Sequence, residues 1–156
     1  MRWPFQAKAP SHACFPIGKY RIDASVDGLA DLVEFSATEY AIMGRRFEGE
    51  RNYNAPEVIF LGRQWKLLLG TVQGNIYKIA PYLELKTKQE ANPIAMVTLR
   101  YCTEQLGKPS SQKTGLFIWD TIDGNVILQT ADSADGLAIN LFITSRAVQN
   151  FKPRSN

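Results

Sequence analysis

The sequence predicts an α+β fold: an antiparallel sheet built from two hairpins plus further strands, with one main helix packed on it. Three observations predict it. GTVQGNIYKI (70–79) and DTIDGNVILQ (120–129) each place Gly-Asn between β-branched residues, the pattern of a tight hairpin. NPIAMVTLRYCTEQLGKP (92–109) carries apolar residues at helical spacing between start and stop signals. LAINLFITS (137–145) alternates Leu137, Ile139, Leu141 and Ile143 with Ala138, Asn140, Phe142 and Thr144, the period of a half-buried strand.

The chain has 156 residues, 45% of them apolar. That is the size of a single domain, 1–156, able to bury a core without disulfides or a structural metal. Residues 1–16 (MRWPFQAKAPSHACFP) read as an extended N-terminal arm, because Pro4, Pro10 and Pro16 would break a helix. Residues 17–35 are ambiguous: IGKYRI (17–22), with apolar Ile17, Tyr20 and Ile22, fits a short strand. SVDGLADLVEF (25–35) fits either a helix or a strand. Ser36 and Glu39 form a capping box and Gly44 a stop, which predicts a short helix over about 37–43. RRFEGERNYNAP (45–56) reads as a loop and EVIFLG (57–62) as a strand.

The segment 64–80 reads as a hairpin turning at Gln73-Gly74, where Gly supplies the positive φ of a type I′ turn. PYLELKTKQEA (81–91) reads as a short extended piece and a solvated connection. For the main helix, about 93–106, Asn92 serves as N-cap and Pro93 as first helical residue. Ala95, Leu99, Cys102 and Leu106 form its apolar stripe, Gly107 stops it and Pro109 prevents its resumption. The second hairpin, 115–130, turns at Asp123-Gly124. RAVQNFKPRSN (146–156) reads as a helical start that gives way to a frayed C-terminal tail within 147–156.

The repeated phrase raises the idea of a degenerate internal duplication, each half a helix followed by a hairpin. The spacing is unequal: 30 residues separate Gly44 from Gly74, and 17 separate Gly107 from Gly124. Convergence of two tight turns explains the phrase with fewer demands. This twofold use of a helix followed by antiparallel strands is similar in outline to the small outer-membrane assembly lipoproteins and β-lactamase inhibitors, a resemblance of element order alone.

Composition argues against several function classes. The formal charge is only +3, without the clustered basic face expected of a dedicated nucleic-acid binder. Both ends are basic, whereas 23–50 carries Asp23, Asp27, Asp31, Glu34, Glu39, Glu48 and Glu50 against Arg45 and Arg46. Two cysteines, Cys14 and Cys102, make no disulfide scaffold. Cys102 falls on the apolar side of the helix, where a thiol acts as a small hydrophobe. No apolar run of signal-peptide or membrane-span length occurs, so the expected compartment is cytoplasmic.

The search for catalytic chemistry returns little. His12 is the sole histidine, and Cys14 beside it lacks the rigid support a catalytic pair needs. No zinc-like spacing, calcium loop or Gly-rich phosphate loop is present, Asp120, Asp123 and Asn125 included, so no cofactor is expected. Glu84, Glu90 and Asp120 are carboxylates without an evident partner. Arg2, Trp3, Phe5 and Lys8 interleave aromatic and basic residues in the arm, which suits either base stacking or clamping of the arm onto a sheet edge. The expectation is a non-catalytic macromolecule-binding protein, most of all one that binds another protein, in the manner of an inhibitor, immunity protein, chaperone or adaptor. Hairpin-rich sheets offer faces, and edges for strand addition, to such partners. The alternatives are nucleic-acid binding through the basic termini and a hydrolase-like enzyme using carboxylates in a sheet cleft.

Overall fold

The structure, a computed structural model, describes residues 9–36, 47–133 and 136–154. Its strands are β1 (Val33–Phe35), β2 (Glu50–Phe60), β3 (Arg63–Val72) and β4 (Asn75–Leu85), then β5 (Ser111–Lys113), β6 (Leu116–Asp120), β7 (Gly124–Ser133) and β8 (Gly136–Ser145). Helix α1 (Lys88–Leu106) links the two sets, and a 3-10 helix (Arg146–Asn150) follows β8. All eight strands form one antiparallel sheet in the order β1-β2-β3-β4-β8-β7-β6-β5. Each set is a meander, and β8 returns to pair with β4, with Ile79 opposite Ile143. The α+β architecture with hairpins is the one the sequence predicts. The described residues place one strand meander before α1 and one after it, so α1 with β5–β8 is a helix followed by antiparallel strands.

The alternation in β3 and β8 buries one face under α1. Trp65, Leu67 and Leu69 of β3, Ile79 of β4, Ile139, Leu141 and Ile143 of β8, and Val126 and Leu128 of β7 pack together. Helix residues Ala91, Ile94, Cys102 and Leu106 join this cluster. Each such aliphatic side chain contributes about 1.5–3 kcal/mol when fully buried. Trp119 Nε1 donates to Gly107 O at 2.9 Å, which pins the end of the helix to β6. On the far face, Leu68 and Ala80 are buried with Phe35, Tyr82 and Phe142 packed against them.

Several boundaries depart from the sequence-based expectation. Helix α1 begins at Lys88, not at 93. Thr87 is its N-cap: Thr87 Oγ1 accepts from Glu90 N, and Glu90 Oε2 accepts from Lys86 N. This is a near-complete capping box in TKQE. Pro93 therefore lies inside the helix and Asn92 does not cap it. The buried positions are Ala91, Ile94, Thr98, Cys102 and Leu106, while Ala95 and Leu99 flank the stripe.

Strand β2 reaches back to Glu50, through residues expected to be loop, with an irregular register between Ala55 and Val58. Pro56 sits within that irregularity, where the ladder does not need its missing N–H. Strand β4 runs on to Leu85, so the extended piece expected at the start of 81–91 is sheet, and α1 takes up the rest of that segment from Lys88. Residues 17–20 make a bridge between Ile17 and Tyr20, a tight turn and not a strand. The ambiguous segment 25–35 resolves into coil ending in β1. The C-terminal segment does start helical, as the 3-10 helix, but the stretch after it is held as far as Pro153, which bridges Phe47. The helix expected over 37–43 lies outside the described residues.

The repeated phrase serves two different physical ends. At the first copy, Gln73 (φ 54°) and Gly74 (φ 79°) are both left-handed, as a type I′ turn requires. At the second, Asp120 pairs with Asn125 and Thr121 N donates to Gly124 O, so the turn spans Thr121–Gly124. The turn is thus shifted back from the expected Asp123-Gly124. Gly124 has no positive φ. It is needed because a Cβ there would come within 1.8 Å of Thr144 O on β8.

Candidate binding cleft

A cavity of about 590 Å³ opens at the turn end of the sheet. Four segments build it: the β3–β4 turn, the Phe47–Glu50 turn, the 3-10 helix with Phe151 and Lys152, and Asp23. Each is fixed locally. The β3–β4 ladder shifts register at Gly70/Thr71, so Gly70 faces Lys78, Thr71 faces Ile76, and Tyr77 is the extra residue. Such a bulge re-aims a side chain. Here it lays the Tyr77 ring against Gly70, where no Cβ competes for the space.

The 23–26 segment adds to the tip of β4 through Ile76 N to Ala24 O (2.8 Å), Asp23 N to Ile76 O (2.7 Å) and Val26 N to Gly74 O (2.9 Å). Asp23 Oδ1 accepts from Ser145 Oγ at 2.5 Å, and Ser145 Oγ in turn accepts from Ala147 N at 3.0 Å. One hydroxyl therefore ties the acidic segment to the cap of the 3-10 helix. Glu48 N donates to Lys152 O at 2.8 Å, which closes the remaining side.

The floor is aromatic and aliphatic, with Tyr77 and Phe151 lining it and Phe47 packed behind them. Phe47, Tyr77 and Phe151 meet edge to face, with centroids 5.2–5.6 Å apart, a favoured geometry worth about 0.5–1.5 kcal/mol per pair beyond burial. Val72 and Ile76 complete it. The rim is polar: Gln73, Asn75 and Asn150 carry amides, and Glu48 and Lys152 carry opposite charges.

Beneath the floor, Tyr77 Oη donates to the Glu50 carboxylate. Both residues are buried. Burial, then the hydrogen bond and the charge of Glu50, push the Tyr77 hydroxyl well above the usual phenol range. It stays protonated and acts as a donor. Burial pulls the Lys78 ammonium below its ordinary value, an effect Glu50 partly offsets. Lys78 Nζ lies 5.8 Å from the Phe142 ring centroid and 6.0 Å from that of Tyr77. The hydroxyl of Tyr77 is thus spent on holding a buried carboxylate, a structural role and not one of a general base.

The residues singled out in the sequence do not gather here. Arg2, Trp3, Phe5 and Lys8 lie outside the described residues. His12 is exposed, its Nδ1 3.2 Å from Ser11 Oγ. The following arm residues rest on the β6–β7 turn: Ile122 N donates to His12 O, and Cys14 N donates to Asp123 Oδ1 at 2.9 Å. Burial raises the Asp123 carboxyl, but the Cys14 and Thr121 hydrogen bonds outweigh it and leave the group below its ordinary value. Cys14 and Cys102 are both free thiols.

Asp120 is exposed and opposite Asn125, and Glu90 is occupied by the helix cap. Among the described residues, no group of three or more His, Cys, Asp or Glu is placed to hold a metal. Two C-terminal cations are engaged by backbone: Arg146 donates to Thr121 O and Ile122 O, and Arg154 to Glu50 O. No described helix is long and apolar enough to cross a membrane.

Sequence reasoning missed this cleft, because 45–56 read as loop and 147–156 as tail. The available signal was the aromatic pair Phe47 and Phe151 in segments assigned no packing role. No family model matches the chain, and no curated protein or solved structure matches it either.

Proposed function

We propose that the protein is a non-catalytic binding protein whose turn-end cleft receives an extended segment of a partner protein. The cleft supports this reading: an apolar floor of Val72, Ile76 and Phe151 ringed by the amides of Gln73, Asn75 and Asn150. An apolar floor inside a polar rim is the anatomy of a recognition site. Side-chain amides both donate and accept, so they suit the backbone of an extended chain. The floor takes one apolar side chain of that segment, while Glu48 and Lys152 offer both signs of charge to its neighbours.

The sheet edges support a cleft over strand addition. β1 and β5 have three residues each, and the outer length of β2 carries Pro56 and Glu57. Short edges, proline and charge all discourage a further strand.

Affinity capture from host extract with three forms of the protein tests the reading. The wild type and Ile59→Ser, changed at the opposite end of the sheet, are expected to retain one stoichiometric protein partner. Asn150→Trp, which fills the cleft from an exposed position, is expected to lose it with an unchanged thermal midpoint. A partner retained equally by Asn150→Trp would refute the cleft, and salt-sensitive recovery of nucleic acid in its place would favour the basic termini.

A further inference from the structure

Three Asp-Gly pairs stand in the sequence: Asp27-Gly28, Asp123-Gly124 and Asp135-Gly136. An Asp-Gly pair can rearrange without an enzyme, because glycine sets no side chain beside its own nitrogen and lets the backbone turn freely. The glycine nitrogen attacks Cγ of the protonated aspartate. The amide proton and the acid hydroxyl leave as water, and a five-membered succinimide closes. A second water opens the ring at the other carbonyl. The chain then runs through Cβ and Cγ as an isoaspartyl link, with the α-carboxylate released. One water is lost and one regained, so the mass does not change.

The fold treats the two described pairs in opposite ways. At Asp123 the carboxylate is turned away and held: Oδ1 accepts from Cys14 N at 2.9 Å and from Thr121 Oγ1 at 3.0 Å. The peptide that follows is fixed too, since Arg146 N donates to Asp123 O at 2.8 Å. Asp27 is exposed, and its carboxylate makes no hydrogen bond or ion pair among the described residues. The Gly28 nitrogen donates to nothing among them, and open space lies beside its Cα. Asp135 lies outside the described residues.

We propose that Asp27-Gly28 is a site of spontaneous isoaspartate formation, and that Asp123-Gly124 in the same chain is protected by the fold. The site adjoins the cleft wall. Val26 N donates to Gly74 O at 2.9 Å, and Leu29 N closes the turn on Val26 O at 3.1 Å. An added backbone methylene between Asp27 and Gly28 opens that turn and loosens 23–26 from the tip of β4.

Protein aged for weeks at neutral pH and body temperature tests the site, mapped with an endoproteinase that cuts before aspartate but not isoaspartate. The folded wild type is expected to accumulate an uncut peptide of unchanged mass at Asp27 and none at Asp123. In guanidinium chloride both positions are expected to accumulate it, because the bonds that hold Asp123 are gone. The Val26 amide is expected to exchange with deuterium faster in aged than in fresh wild type. In Asp27→Glu, whose longer side chain would have to close a six-membered ring, aging is expected to leave that exchange unchanged. Clean cutting at Asp27 after aging, isoaspartate at Asp123 of the folded protein, an Asp123 equally inert when unfolded, or a Val26 amide that aging does not affect would each overturn the proposal. The occupant of the cleft takes no part in this chemistry, so the cleft reading stands or falls separately.

Discussion

Gly70→Ala is the substitution that best probes how the cleft floor is held. A Cβ at position 70 would sit 2.8 Å from one Tyr77 ring carbon, 3.1 Å from Cζ and 3.2 Å from the hydroxyl oxygen. The ring cannot retreat cheaply, because Phe47 and Phe151 each abut it at 5.6 Å between centroids and Glu50 holds its hydroxyl. Overpacking of this kind costs about 1–3 kcal/mol. If the ring moves enough to release Glu50, loss of a hydrogen bond to a charged group adds about 1.5–3 kcal/mol. Gly70 does not occupy a positive φ, so alanine recovers about 0.5–1 kcal/mol of backbone entropy. The net expectation is a loss of about 3 kcal/mol, or about 6–12 °C in Tm for a chain of this size. Urea unfolding of Gly70→Ala, Tyr77→Leu and the double variant measures it. The alanine is expected to cost less than about 1 kcal/mol in the Tyr77→Leu background, since contacting residues are not additive. An equal cost in both backgrounds would refute the steric argument.

Other consequences follow from the same structure. Gly124→Ala should disrupt the β7–β8 ladder and cost about 3 kcal/mol or more, whereas Gly74→Asn should cost under about 1 kcal/mol because Asn tolerates the left-handed turn; urea midpoints distinguish them, and equal losses would contradict the two roles assigned to the repeated phrase. Thr87→Ala should cost about 1 kcal/mol by removing the helix N-cap, measured in the same way; no loss would return the helix start to Asn92. Burial pushes the Cys14 and Cys102 thiols up from the ordinary 9.0 to about 12. A raised folded value means the stabilisation is whole below pH 9.0 and is lost as pH climbs toward 12. Both thiols should therefore resist alkylation in the native protein and react in urea, and rapid native modification of both would contradict their burial.

The fold was legible where a local pattern and a tertiary demand agreed. The alternation of Leu137–Ile143 and the stop at Gly107 needed only the periods of strand and helix. Errors arose where two local signals competed. Asn92-Pro93 is a stronger textual helix start than Thr87 with Glu90, yet packing of Ala91 against the core favours the earlier cap. Residues 50–56 carry Asn and Pro, poor strand formers, but the long partner β3 supplies a ladder for them. Asp123-Gly124 resembles a turn from sequence alone. Only the closeness of β8 reveals that the glycine answers a backbone contact. The cleft was illegible because its walls come from four segments distant in sequence, joined by Asp23–Ser145 and Glu48–Lys152 hydrogen bonds that no local spacing encodes.

Titration of the isotope-labelled protein with its captured partner, followed by amide chemical shifts, tests the central claim most directly. The cleft reading predicts shift changes concentrated at Gly49, Gln73, Asn75 and Lys152 and nearly absent from the β2–β3 turn at Leu61-Gly62. Changes that spare those four amides while the partner binds would contradict it.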